Sequence, residues 1–223
     1  MPLRDRFFCL MKFFKKFALG GLLFGLLSFS LISPALATEA VAAKLSAEDS
    51  KDLKRIETYL NGMKTLRAGF LQVSSNGGVA TGKLMLARPG KMRFEYDPPA
   101  PILMVADGVF LIYIDKELEQ VTHLWLNNTP IGFLVKEDIK LNGDVTITKF
   151  ARGSNILLAT LARSEEPEQG TITLVFSDNP LSLRKWTVTD AQGIQTTITL
   201  SNLESAVKLD PELFKFNGLP NSE

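Results

Sequence analysis

Side chains able to do acid–base, nucleophilic or metal chemistry are few in this sequence, and their spacing suits none of it. His123 is the only histidine, so a Ser–His–Asp arrangement would have one possible base. It lies in the run Val121-Thr122-His123-Leu124-Trp125 with no nucleophile elbow nearby, and reads as a strand residue on a wall or surface. Cys9 is the only cysteine, and no cluster of ligating residues has metal-site spacing. Glycine pairs such as Gly77-Gly78 fall in hairpin turns with no helix behind them, which leaves a phosphate cradle unsupported. The acidic pairs Asp49/Asp52 and Glu165/Glu166 read as solvated charge on a helix and in a loop. No catalytic residue, metal or cofactor is expected, and the sequence points away from an enzyme.

The chain opens with an address. Arg4, Arg6, Lys12, Lys15 and Lys16 form a basic leader, Phe17 to Ile32 is an uncharged apolar run, and Ala35-Leu36-Ala37 supplies small residues before Thr38. That pattern predicts a secretory signal peptide over 1–37, cleaved after Ala37, and a single domain over 38–223 exported to the periplasm. Cleavage removes Cys9, so the mature domain has no thiol and no lipidation cysteine after the apolar run. It also removes five basic residues against Asp5 alone, leaving acidic residues in slight excess. A mildly acidic domain without a basic run predicts no nucleic-acid partner and no electrostatic hold on an anionic membrane.

The elements follow from periodicity. Residues 38–45, rich in alanine, read as a mobile tether. Ser46 with Asp49 three residues on predicts a capping box, and Leu53, Ile56, Leu60 and Met63 recur at helical spacing behind it. Gly62 weakens the last turn. Strands follow over Leu66 to Val73, Val79 to Ala87 and Lys91 to Asp97; in the third, Met92, Phe94 and Tyr96 share one face and Lys91, Arg93 and Glu95 the other. Asp107-Gly108 predicts a tight hairpin between Ile102–Ala106 and Val109–Ile114, and Glu119 to Leu126 is another strand. Thr129-Pro130 then starts a short or irregular helical piece, with Ile131, Phe133, Leu134 and Val135 crowded around Gly132. Strands resume at Val145–Phe150, Ile156–Ala162, Thr171–Phe176, Leu181–Thr189 and Ile194–Leu203, and Pro211 to Phe214 predicts a last helical turn. The expectation is a mainly β (α+β) fold: an incomplete antiparallel β-barrel of about 11 strands, its apolar concave face covered by two helical pieces. One greasy helix stripe and one short apolar segment are few covers for so many strands. On the residues alone, a packed core and a container remain equally open.

Several stretches decide between them by resemblance. Phe70-Leu71-Gln72, the segment Gly82 to Leu86, the run Ala87-Arg88-Pro89-Gly90-Lys91-Met92-Arg93-Phe94, Asp107-Gly108 with Tyr113, Thr129 to Leu134, Asp190 to Leu203 and Phe214-x-Phe216 together resemble the LolA family of periplasmic lipoprotein carriers. The likeness runs from about Leu53 to Leu219, and the Arg-Pro stretch is its most specific part. The resemblance implies an incomplete barrel with a helical lid over an apolar cavity. It implies lipoproteins as cargo, an inner-membrane ABC transporter of the Lol type as donor, an outer-membrane receptor of the LolB type as acceptor if present, and a monomer.

It also implies that Arg88 hydrogen-bonds lid backbone as a latch. Acyl chains would then lie against Leu84, Leu86, Met92, Phe94 and Tyr96, under a cover of Leu53, Ile56, Leu60, Ile131, Phe133 and Leu134. The alternative with the same fold is a related periplasmic module that binds free lipid or senses envelope stress. An acyl chain of about sixteen carbons forfeits on the order of 12 kcal/mol of apolar burial in water, at roughly 0.8 kcal/mol per methylene. A carrier must replace most of that and still let go.

Overall fold

The computed structural model describes residues 39–216 and Gly218; the expected leader and its cleavage point lie outside the described residues. One α-helix, α1 (Ala47–Gly62), starts on the capping box. The Asp49 amide donates to Ser46 Oγ (3.1 Å), and the Ser46 amide donates back to Asp49 Oδ2 (2.9 Å). Two otherwise orphaned helix amides are thereby satisfied. The stripe of α1 is buried at Leu53, Ile56 and Leu60.

Eleven strands follow: β1 (Thr65–Ser74), β2 (Val79–Ala87), β3 (Lys91–Tyr96), β4 (Ile102–Asp107), β5 (Phe110–Asp115), β6 (Gln120–Trp125), β7 (Val145–Gly153), β8 (Ile156–Arg163), β9 (Gly170–Ser177), β10 (Ser182–Asp190) and β11 (Gln195–Ser205). All belong to one antiparallel sheet in the order β6-β5-β4-β3-β2-β1-β11-β10-β9-β8-β7. The chain therefore steps outward from β1 to one edge, crosses to the other edge, and steps back to lie beside β1. The sheet does not close, because β6 and β7 are its two edges.

That topology assigns the lid. The crossing from β6 to β7 carries two 3₁₀ turns, Leu126–Asn128 and Pro130–Val135. Thr129 caps the second, its Oγ1 accepting from the Gly132 amide at 3.2 Å, with Pro130 at the first turn position. Gly132 is demanded by close approach: a Cβ there would lie 2.2 Å from the Leu126 carbonyl oxygen. The short, irregular character expected of this piece is what the structure shows, and its tightness comes from this backbone-on-backbone packing.

The principal core is one apolar cluster on the concave side. It joins α1, the lid and strands from both halves of the sheet, down to Phe176 and Trp186 on the β9–β10 side. Fully burying a leucine or phenylalanine contributes about 2 kcal/mol, so this cluster dominates the stability of the domain. A smaller cluster of Val105, Ile112 and Ile114 lies apart from it, with Phe216 packed against it. The turn Pro211–Phe214 runs across β3 and β4 on that side, and Arg93 Nη1 donates to the Leu213 carbonyl at 2.9 Å.

Two expectations need correction. Residues 38–45 are not a free tether where they are described: the Ala43 amide donates to the Ile147 carbonyl (2.8 Å) and the Ala40 amide to that of Ser164 (3.3 Å). Small side chains let this stretch lie along the edge strand β7, covering backbone that an open sheet would leave unpaired. Asp52 is not solvated: it is 8 % exposed, buried where α1 meets β7.

Candidate functional site

The alternation of β1, β2 and β3 sets the concave face. Cross-strand neighbours stack Leu84 against Phe94 and Leu86 against Met92, while Tyr96 lies opposite Gly82. Leu84, Leu86, Met92 and Phe94 are each at most 2 % exposed, and Tyr96 packs half-buried beside them. Phe70 on β1 sits edge-on to both Phe94 and Tyr96, with ring centroids 5.3 and 5.1 Å apart. Leu53, Ile56 and Leu60 of α1, and Phe133 and Leu134 of the lid, are buried in the same cluster, with Ile131 half-buried against it. The eleven apolar positions singled out in the sequence thus meet in one place, with the face covered by α1 and the lid.

Arg88 sits where β2 ends and holds both covers. Its Nε donates to the Met63 carbonyl (3.2 Å), its Nη2 to the Leu60 carbonyl, and its Nη1 to the Lys136 carbonyl (3.4 Å). The first two acceptors are C-terminal carbonyls of α1, which has no basic residue of its own in its last turn; a cation there meets the negative end of the helix dipole. The third lies one residue past the lid turn. Burial pulls the Arg88 pKa down, with Asp138 opposing, but a guanidinium stays charged throughout the physiological range. Backbone completes the clasp: the Arg88 amide donates to the Lys64 carbonyl (2.8 Å) and the Gly90 amide to the Val135 carbonyl (2.7 Å). The resemblance implied lid contacts for Arg88; the structure adds the end of α1, so one side chain ties both covers to the sheet.

Some of the clasp was missed in the sequence. Asn61 Nδ2 donates to the Ile139 carbonyl (2.8 Å) while Asn61 Oδ1 accepts from the Ile139 amide (2.9 Å). The Leu141 amide donates to Glu57 Oε2 (2.9 Å). Glu57 and Asn61 are four apart and so share a helix face, a signal present in the sequence, but their partner segment was not predictable from it. At its other half, α1 is held by ions. Asp52 accepts from Arg55 Nη1 (2.7 Å) and from Arg152 Nε and Nη2 (3.0 and 2.7 Å), and Arg55 Nη2 also reaches Asp178 (2.9 Å). Burial alone pushes the Asp52 carboxyl up, but the hydrogen bonds from Arg55 and Arg152 outweigh it and hold its pKa below the ordinary value.

Two phenols and a carboxamide add polar groups to the face. Tyr96 donates from its hydroxyl to Gln72 Oε1 (2.7 Å). Burial pushes its pKa well above the usual phenol value, with Tyr113 adding to the effect, and burial pushes Tyr113 up to about 12. His123 lies on the exposed face of β6, edge-on to Phe110 at 5.7 Å.

The chain is similar in sequence to known proteins. The family model for the outer membrane lipoprotein carrier protein LolA matches residues 61–217. An outer-membrane lipoprotein carrier protein of Chromobacterium violaceum is 32 % identical over 199 residues, covering 82 % of this chain and 92 % of its own. One from Nitrosomonas europaea is 30 % identical over 174 residues, covering 74 % and 84 %. A crystal structure of a LolA superfamily protein from the same organism aligns with a TM-score of 0.44 at 8 % identity, over 74 % of this chain and 97 % of that one. With an unclosed eleven-stranded sheet, a lid joining its two edges and an arginine clasping the lid, the chain belongs to the LolA family of outer-membrane lipoprotein carriers.

Proposed function

We propose that this protein is a non-enzymatic periplasmic carrier. It takes lipoprotein acyl chains onto the concave face, accepts them from an inner-membrane ABC transporter, and delivers them to the outer membrane, to a LolB-type receptor where one exists. The observation that carries this reading is Arg88, which ties α1 and the lid to the sheet through hydrogen bonds to main-chain carbonyls.

The energetics favour exchange over capture. Ile131, Phe133 and Leu134 cover the face in the closed form, each contributing about 2 kcal/mol by burial. An entering acyl chain displaces these contacts, so the loss of lid closure offsets part of the burial gained on loading. The lid is then held by a few hydrogen bonds, each contributing roughly 1 kcal/mol net, which lets cargo enter and leave without a nucleotide on the carrier. The face excludes water from the chains, and its lining of Leu84, Leu86, Met92 and Phe94 fits the chemistry of hydrocarbon.

The test is Arg88→Leu in cells depleted of the native protein, with lipoproteins followed by membrane fractionation. The variant is expected to fold but to mishandle cargo, and lipoproteins should accumulate at the inner membrane. A normal distribution would remove Arg88 from the mechanism.

A further inference from the structure

We propose that Gln72 and Tyr96 form a polar subsite at one end of the concave face, where they donate hydrogen bonds to the ester carbonyls at the head of bound acyl chains. This rests on the carrier reading above and adds an orientation to it.

Gln72 is an anomaly on its strand. The inward positions of β1 are Leu66, Ala68, Phe70 and Gln72, so a carboxamide follows three apolar side chains into the core. It is 9 % exposed. Its carboxamide contact is the one with Tyr96, two strands away. The β2 residues along the way are small: Ala80 pairs with Gln72, and Gly82 pairs with Phe70 on one side and Tyr96 on the other. A Cβ at Gly82 would lie 2.7 Å from the Phe70 ring and 2.1 Å from the Glu95 carbonyl oxygen, so any side chain there would displace both.

An amide has two polar ends, and this one uses only one of them among the described residues. With the oxygen toward Tyr96, the NH2 group is left with two donors and no protein partner. With the amide turned over, its NH2 donates to the phenol, and the phenol O–H is left over. Either way a donor is left over that no described protein group takes up; it is open enough to meet water, so a ligand that displaces that water must supply an acceptor in its place. A pin between strands would need no such surplus. A carbonyl oxygen entering with a ligand would satisfy it, whereas a hydrocarbon tail would not.

Position agrees with chemistry. Along β2, Gly82 and Arg88 are six residues apart, roughly 20 Å at about 3.3 Å per residue. Between them lie Leu84 and Leu86, with Phe94 and Met92 as neighbours on β3. From end to end, the face reads polar pair, aromatic cluster, aliphatic wall, latch. An acylated head group held at Gln72 and Tyr96 would run its chains toward the lid, where they displace the cover.

The experiment compares a synthetic diacylglyceryl-cysteine peptide with its dialkyl-ether analogue of the same chain length. Both are titrated against the wild-type protein, Gln72→Met and Tyr96→Phe, with thermal unfolding as the check on folding. Wild type should bind the ester compound roughly five- to tenfold more tightly, the size expected of one or two hydrogen bonds, and each variant should bring that ratio close to one. A wild-type ratio near one with both compounds bound, or a preference that survives in both variants, overturns the subsite and leaves the carrier reading standing. Failure of wild type to bind either compound overturns the carrier reading and the subsite with it.

Discussion

The two ends of α1 are fastened by different physics. Its C-terminal end is held by a buried cation on main-chain carbonyls, through Arg88 to Leu60 and Met63. Its N-terminal half is held by ion pairs whose cations are partly exposed: Arg152 and Arg55 on Asp52, with side chains 31 %, 44 % and 12 % exposed. A buried donor to uncharged carbonyls does not titrate near neutral pH and is little screened by salt. Ion pairs at a surface titrate, weaken with salt and contribute modestly. The Arg88 end shares its guanidinium with the lid, so on the carrier reading proposed above lid movement would loosen the last helix turn with it, while the ion pairs would keep the other half in place.

Breaking the latch end should have the largest effect. Arg88→Leu removes the guanidinium from the Leu60, Met63 and Lys136 carbonyls and should lower stability by about 2–4 kcal/mol. Amide exchange should rise in the last turn of α1 and in residues 130–136 together. Protection lost in only one of these segments would break the coupling. Asn61→Ala tests the second tie on the last turn of α1. It removes both hydrogen bonds to Ile139 and should cost about 1–2 kcal/mol, read by chemical denaturation, with faster exchange at the Ile139 amide as the local signature.

Asp52→Asn sharpens the contrast from the other side, with a cost of about 1–2 kcal/mol, reduced because its cation partners are partly hydrated. The folded pKa of Asp52 is depressed. Its stabilisation is therefore fully present above its unfolded value near 3.8 and is lost as pH falls through the lower folded value. Exchange in the first half of α1 should rise on acidification below that range in wild type and lose much of this pH dependence in Asp52→Asn. An identical acid response in both would remove Asp52 from the fastening of that half.

Much of the architecture was legible because it is written at short range. The capping box at Ser46, the stripe of Leu53, Ile56 and Leu60, the alternation of Met92, Phe94 and Tyr96, and the Thr129-Pro130 start of the lid are patterns confined to neighbouring residues of the chain. Local geometry converts each directly into a face or a cap. The membership of the concave face followed from that alternation, and the importance of Arg88 came from a resemblance. Its contact with α1 was not legible, since Leu60 and Met63 lie 28 and 25 residues away.

By itself, then, the sequence determined which side of each strand is apolar, where the helix begins and where the cover lies in the chain. Only the tertiary structure decided what those pieces hold. The strand order brings β6 and β7 to opposite edges and makes their connection a lid, and the curved sheet brings Arg152 to Asp52 across 100 residues. Gly82 leaves room for the Phe70 ring, beside which Tyr96 reaches Gln72. Side-chain periodicity fixes a residue's face, but its partners depend on strand register and sheet curvature, which the whole chain sets together.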